Sequence, residues 1–377
     1  MREVVELNHI EEAEAFTGPW RELLDVTPGA TYFHSLPWLR CYWKHYGQGQ
    51  RLRILVVRER GAVVGIVPLV VRTEPSRLGP MRLLTYPLHD WASFYSPIGP
   101  DRGELLHAAL SHIRKTSRDW DFVELRWIGG QGDDPSETAR AMKEVGWRPC
   151  RSLYGFTSMV RIQGDWKSYF AGHGQAWCRK FRRRLQRLRR QGEVRLVRYR
   201  PGGTAKDDDD PRWDLFDMCQ DVAQSSWQAQ IANSTTISAD PVRAYFRDMH
   251  QVATRAGAVD MNLLLVDDSP AAFLYNYHWQ GMVYGCRAGH SPQWKEFSPG
   301  LEMVRSSIQD SFERGDQLYD MGVGESVLKT KFRTAAVPIF RVSHCPITGP
   351  RTQLLGVRRW IQQRQLDQKL AELAAVK

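Results

Sequence analysis

No C-x-x-C pair occurs among the six cysteines of this 377-residue chain, and Cys41, Cys150, Cys178, Cys219, Cys286 and Cys345 lie far apart. That spacing excludes a disulfide framework and a zinc site and fits reduced thiols. Any one thiol could serve as a nucleophile, but a small buried apolar residue is the commoner role. Long apolar runs are also missing. The longest, Gly61 to Val71, has 11 residues, against the roughly 20 that span a bilayer. The uncharged stretch from Ser269 to Cys286 contains Asn276, His278, Gln280 and Gly281 and reads as a strand hairpin. A cationic leader is missing too, because Glu3, Glu6, Glu11, Glu12 and Glu14 crowd the first 16 residues. The expectation is a cytoplasmic chain without a secretory signal or a membrane span.

What is present is charge of one sign in one place. The chain has 52 Lys and Arg against 42 Asp and Glu, a formal net charge of +10. From Gln175 to Arg200 there are eleven basic residues and one acid, Glu193, so this segment carries the whole excess and the remainder is neutral. A uniformly cationic, histone-like protein is excluded. Trp177, Phe181, Leu185 and Leu188 recur at helical spacing within the segment, so one apolar stripe docks while arginines cover the rest. Such a face attracts phosphates of tRNA, anionic lipid or another polyanion at Arg179 to Arg190, and lipid would place the chain peripherally at the inner membrane. A solvated structural helix is the plainer alternative.

With 42% hydrophobic residues the chain can bury a core, and its length suits more than one domain. Arg51 to Arg58 and Ala62 to Arg72 alternate around Glu59-Arg60-Gly61 as a hairpin, and Leu105 to Lys115 is helical. In the second half, Trp213 to Gln230 and Pro241 to Ala256 read as helices, and Asp260 to Val266, Ala271 to Trp279 and Met282 to Ala288 as strands. A helix follows from Pro299 to Arg314, then a short strand from Gln317 to Met321. The predicted class is α+β, with mixed, mostly antiparallel sheets flanked by helices and a division near residue 160.

Three constellations carry chemistry. Phe297-Ser298-Pro299-Gly300-Leu301 combines a favoured N-cap, a favoured first helical residue and a glycine that admits a ligand to the backbone, which suits a diphosphate. It is equally a well-made helix start. Tyr319-Asp320-Met321-Gly322-Val323-Gly324-Glu325, with Lys329 beyond, can set a carboxylate and an ammonium beside a pocket, or merely pair them at a strand end. On the strand Leu274 to Trp279, alternation sends Tyr275 and Tyr277 to one face and Asn276 and His278 to the other. His278 is a candidate base, His290 a weaker one, and Tyr284 on the next strand a candidate acid. No metal site is expected.

The order of short motifs resembles a known group. It runs Ser35-x-Pro37-Trp38-Leu39, Gly65-Ile66-Val67-Pro68-Leu69, an arginine-rich helix closing at Arg190-Gln191-Gly192, Ser226-Trp227, Ser298-Pro299-Gly300 and Tyr319-Asp320-x-Gly322-x-Gly324 with Lys329 and Phe332. This is similar to the BioF2-like acetyltransferases, described as cellulose or exopolysaccharide biosynthesis acyltransferases of the GNAT superfamily and related to FemAB-type transferases. The resemblance implies tandem GNAT-like (acyl-CoA N-acyltransferase) domains at 1–160 and 161–348, the second opening with the basic helix 175–192, and a C-terminal helix at 349–377. It also implies acetyl-CoA as co-substrate, its pyrophosphate at Phe297 to Leu301, and transfer to an amine or hydroxyl of a sugar or envelope precursor. Asp320 and His278 are the expected bases, Lys329 the orienting charge and Tyr284 the acid. Leu328 stands where the family usually has Tyr, and Ser326 where it has an acid. An aminoacyl-tRNA-dependent, FemAB-like transferase and a non-enzymatic scaffold docking on an anionic partner remain the alternatives.

Overall fold

The structure is a computed structural model and describes residues 2–76, 79–88, 94–129, 135–324, 326–347 and 349–375, with backbone alone for 366–375. The chain forms two compact units, one of Met1–Phe156 with Val337–Lys377 and one of Thr157–Ala336. The expected boundaries at 160 and 348 differ from this division. Val337 onward returns to the first unit because its strand pairs there.

Unit 1 begins with β1 (Arg2–Leu7), α1 (Thr17–Val26) and α2 (Leu36–Tyr46). Ser35 caps α2 by accepting the Trp38 N–H, as its sequence predicts. Then come β2 (Arg51–Glu59), β3 (Ala62–Glu74), β4 (Met81–Thr85), α3 (Arg102–Lys115), β5 (Phe122–Gly129) and α4 (Pro135–Glu144). Strand β6 (Pro149–Arg161) leads out of this unit. Unit 2 continues with α5 (Trp166–Ala171), α6 (Gln175–Arg189), β7 (Val194–Tyr199), α7 (Trp213–Ser225), α8 (Asp240–Arg255), β8 (Val259–Val266), β9 (Ser269–Trp279) and β10 (Met282–His290). It closes with α9 (Pro299–Arg314), β11 (Leu318–Val323) and α10 (Val327–Phe332). The chain then re-enters unit 1 as β12 (Ala335–His344) and α11 (Pro350–Ala375).

Within unit 1 the strand order is β1-β2-β3-β4-β5-β12; within unit 2 it is β7-β8-β9-β10-β11-β6. The plan repeats: strand, two helices, three strands, helix, strand. Among the described residues the pairings within each unit are antiparallel except one parallel pair per unit, β4 with β5 and β10 with β11, each joined by a helical crossover. The sixth strand is exchanged: β12 closes the first sheet and the end of β6 closes the second. The α+β expectation, with mostly antiparallel sheets flanked by helices, is met in both.

The strands β8 to β11 and helices α9 and α10 bury an apolar core built on Leu264, Ala272, Val283, Met303, Ile308, Tyr319 and Phe332. Helix α6 docks on it through Leu188 and Trp177, so the predicted stripe faces inward. The helix expected from Trp213 to Gln230 stops at Ser225, and a 3-10 turn follows at Trp227–Gln230.

Candidate functional site

The parallel ladder between β10 and β11 is short. Met282 pairs with Leu318, Val283 with Tyr319 and Tyr284 with Asp320, whereas β10 goes on pairing with β9 as far as His290. A bulge between Gly285 and Arg287 bends β10 at the point where its pairing with β11 stops. Gly285 sits in the angle: an added Cβ would lie 2.9 Å from the Asp320 carbonyl oxygen. Bend and lost ladder together leave the far edge of β10 without its β11 partner.

Asp320 stands where the strands part. It is fully buried. Its Oδ1 accepts hydrogen bonds from Thr157 Oγ1 and from the Gly322 N–H at 2.8 Å, while Oδ2 has no hydrogen-bond partner among the described residues. Burial pushes its carboxyl up to about 6, against the opposing pull of Thr157, Gly322 and the Lys329 charge. Tyr284 is opposite Asp320 in a parallel register and shares its face; burial and the Asp320 charge raise its hydroxyl, so it stays protonated. Its O–H is directed at Met282 Sδ, 3.4 Å away. Lys329 Nζ donates to the carbonyls of Gly322 at 2.9 Å and Val323 at 2.7 Å. Ser326 caps α10 and so sets Lys329 over the strand end. Glu325, part of the same motif, lies outside the described residues.

His278 is not in this group. Asn276 donates to the Tyr319 hydroxyl at 3.3 Å, so the even-numbered side chains of β9 share the Tyr319 face, and Asp320 points the other way. The sheet lies between His278 and Asp320. On its own face His278 Nε2 is 3.6 Å from Asp316, within a buried ion cluster. Arg198 binds Asp260 at 2.7 Å and Asp310 at 2.9 Å, and Arg200 binds Asp316 at 2.8 Å. Burial would raise both buried carboxyls, but Arg198 holds Asp260 down at about 2, and His278 and Arg200 hold Asp316 low. His278 therefore has a structural setting, and His290 merely ends β10.

The start of α9 differs in detail from its prediction. Ser298 holds the cap position with left-handed backbone, φ 57°, and its side chain makes no capping hydrogen bond. Such a conformation is strained for a residue other than glycine and recurs at ligand sites. Pro299 takes the first helical position, and Phe297 and Leu301 pack on the core. At Gly300 an added Cβ would meet nothing within 4 Å, so the backbone of the first turn faces open space. Pro299 has no N–H and the Leu301 N–H is bonded to the Ser298 carbonyl, so the Gly300 amide and the dipole end are what the turn offers an anion.

Four of the six cysteine thiols offer no rival chemistry. Burial raises Cys150, Cys219 and Cys286, and pushes Cys345 up to about 12, the opposite of an activated nucleophile. Among the described residues no cluster of three His, Cys, Asp or Glu could hold a metal ion, and no helix is long and apolar enough to cross a membrane. Thr157 escaped the sequence reading, since a threonine inside a 13-residue strand carries no local signal.

Residues 178–330 match the family model of an acetyltransferase (GNAT) domain, a span that contains Asp320, Tyr284, Lys329 and the start of α9. Among solved structures, one described as the crystal structure of FemX superposes with a TM-score of 0.59 at 10% identity, covering 93% of this chain and 99% of that one. A conserved protein of unknown function from Bacteroides thetaiotaomicron superposes with a TM-score of 0.50 at 10% identity, covering 92% and 100%. At such identities the likeness is one of fold. No curated protein matches the chain. The fold is GNAT-like, and the domain match supports an acyltransferase.

Proposed function

We propose that this protein transfers an acetyl or other acyl group from coenzyme A to an amine or hydroxyl of a sugar-derived or envelope precursor. The observation that carries the reading is the parting of β10 and β11 directly beyond Tyr284 and Asp320, with a buried carboxylate oxygen lacking a partner at the fork. The thioester supplies an activated acyl carbonyl. The open first turn of α9, from Ser298 to Leu301, would hold the pyrophosphate. Above its midpoint near 6, Asp320 is ionised, and its Oδ2 takes the proton of the acceptor as nitrogen or oxygen bonds to the acyl carbon. The carbon–sulfur bond then breaks, Tyr284 gives its proton to the departing thiolate, and proton exchange with solvent returns Tyr284 to the phenol and Asp320 to the carboxylate. Lys329 holds the strand end that carries Asp320. The resemblance to exopolysaccharide-type acyltransferases motivates the acceptor class, and a cytoplasmic site of action goes with it.

Calorimetric titration with acetyl-CoA tests this. Binding is expected for the native chain and at least a tenfold loss in Gly300→Asp. The new carboxylate has room and favours a helix start, so the fold is kept while the phosphates are repelled. No binding by the native chain, or equal binding by both, would sink the assignment.

A second reading, the FemAB-like transfer from aminoacyl-tRNA, is favoured by α6. Arg179, Lys180, Arg182, Arg183, Arg187, Arg189 and Arg190 are exposed and make no ion pair among the described residues. Arg187 also lies 5.8 Å from the Phe297 ring, beside the start of α9. Salt-sensitive tRNA binding that disappears in Arg182/Arg183/Arg184→Glu would favour this reading. Co-sedimentation with anionic vesicles and no acetyl-CoA binding would favour the scaffold.

A further inference from the structure

The two oxygens of Asp320 are held unequally, and the cause lies on the exchanged strand. Against β6, Asp320 is opposite Met159 and Val323 is opposite Thr157, so β11 carries one extra residue across this step. Gly322 absorbs it with φ 80°, which turns its N–H back onto Asp320 Oδ1. A side chain at Gly322 would be strained and 3.1 Å from the Gly285 carbonyl oxygen. Thr157, itself buried, adds its hydroxyl to the same oxygen.

We infer that Thr157 is a positioning residue for Asp320: with the Gly322 N–H it occupies Oδ1, so that Oδ2 alone exchanges a proton with the substrate. This rests on the reading of Asp320 as the base. Two donors on Oδ1 leave the carboxylic proton nowhere but Oδ2, and on ionisation the free lone pairs are at Oδ2. Among the described residues, the charged and titratable groups facing the carboxyl are Tyr284 from β10 and Lys329 from α10, and neither hydrogen-bonds it. Thr157 is thus the one side chain of the described residues that does.

The test follows the Asp320 carboxyl by carbon-13 resonance in the full chain labelled at aspartate Cγ, with Asp320→Asn identifying the signal. The native midpoint is expected near 6. In Thr157→Val it should move up by about one to two pH units, the worth of a hydrogen bond to a charged group. Thr157→Ser keeps the hydroxyl and should stay at the native midpoint, and thiol release from acetyl-CoA should track the midpoint at unchanged KM. An unmoved midpoint in Thr157→Val overturns the inference, as does an equal shift in Thr157→Ser. The titration needs no acyl donor. Failure of acetyl-CoA to bind would count against the proposed function and leave the positioning of Asp320 to be judged by the resonance alone.

Discussion

Units 1 and 2 follow one plan, and each buries a carboxylate at the third residue of the strand that enters its parallel pair: Glu124 on β5 and Asp320 on β11. Each accepts a hydroxyl from the exchanged sixth strand, Ser343 in unit 1 and Thr157 in unit 2. There the likeness ends. Glu124 is surrounded by Arg126 at 2.8 Å, Arg359 at 2.5 Å and Arg341 at 3.9 Å, and these hold it below the usual carboxylate range although burial alone would raise it. Asp320 has no arginine, and burial wins. The helix starts diverge in the same sense. Asp101 caps α3 with its own carboxylate, and a Cβ on Gly103 would meet the Arg140 side chain at 3.3 Å. Ser298 makes no such cap, and Gly300 faces open space. Desolvation is common to both carboxylates, so the partner set alone separates an acid held low from one pushed up.

The sharpest way to break this comparison is to remove each carboxylate in turn. Asp320→Asn should lower thiol release from acetyl-CoA by about 10² to 10⁴, the usual worth of a general base, and the native rate should rise with pH through about 6. Retained activity, or a pH-independent rate, would make Asp320 structural like its counterpart. Glu124→Ala takes the carboxylate from the buried Arg359 and the half-buried Arg341, while Arg126 keeps Glu74, and urea unfolding should report a loss of about 3 kcal/mol. A loss of transfer rate in folded Glu124→Ala would mean that unit 1 takes part in the chemistry.

The smaller effect is the pH dependence of stability, which should have opposite sign at the two positions. Asp320 is raised from 3.8 to about 6 on folding, so it favours the fold below pH 4 and that contribution is gone above about 6. Asp320→Asn should therefore gain on the native protein between pH 4 and 7, by about 3 kcal/mol from the shift of 3.8 to about 6. Glu124 is lowered, so its stabilisation is present above the ordinary carboxylate range and fades as pH falls. A Glu124→Gln variant should lose ground to the native protein as pH rises towards 4.5 and hold level above it, below most of the interval where Asp320→Asn gains. Parallel pH profiles for both variants would erase the distinction.

Much of this frame is written locally. Period-two stretches place β2, β3, β8, β9 and β10 within a few residues, and alternation on β9 already separates Tyr275 from Asn276. The exchange of β6 and β12 is not written in either strand, because pairing between segments far apart in sequence leaves no periodic trace. That gap explains the misplaced boundary at 348 and the missed Thr157. It also explains His278: a histidine one strand from Asp320 is a plausible base until the register puts the sheet between them.

The opening asymmetry of charge divides the same way. The sequence by itself determined that eleven basic residues crowd one segment and that α6 would dock by a stripe of apolar residues, since composition and helical period are local properties. Only the tertiary structure decided which of those cations are already spoken for. Arg198 on β7 and Arg200 just beyond it meet Asp260, Asp310 and Asp316 from three other parts of the chain, whereas the exposed arginines of α6 meet no acid among the described residues. The same holds for the acids: that residue 320 is an aspartate is in the sequence, but its raised midpoint follows from burial without a cation, which depends on long-range packing.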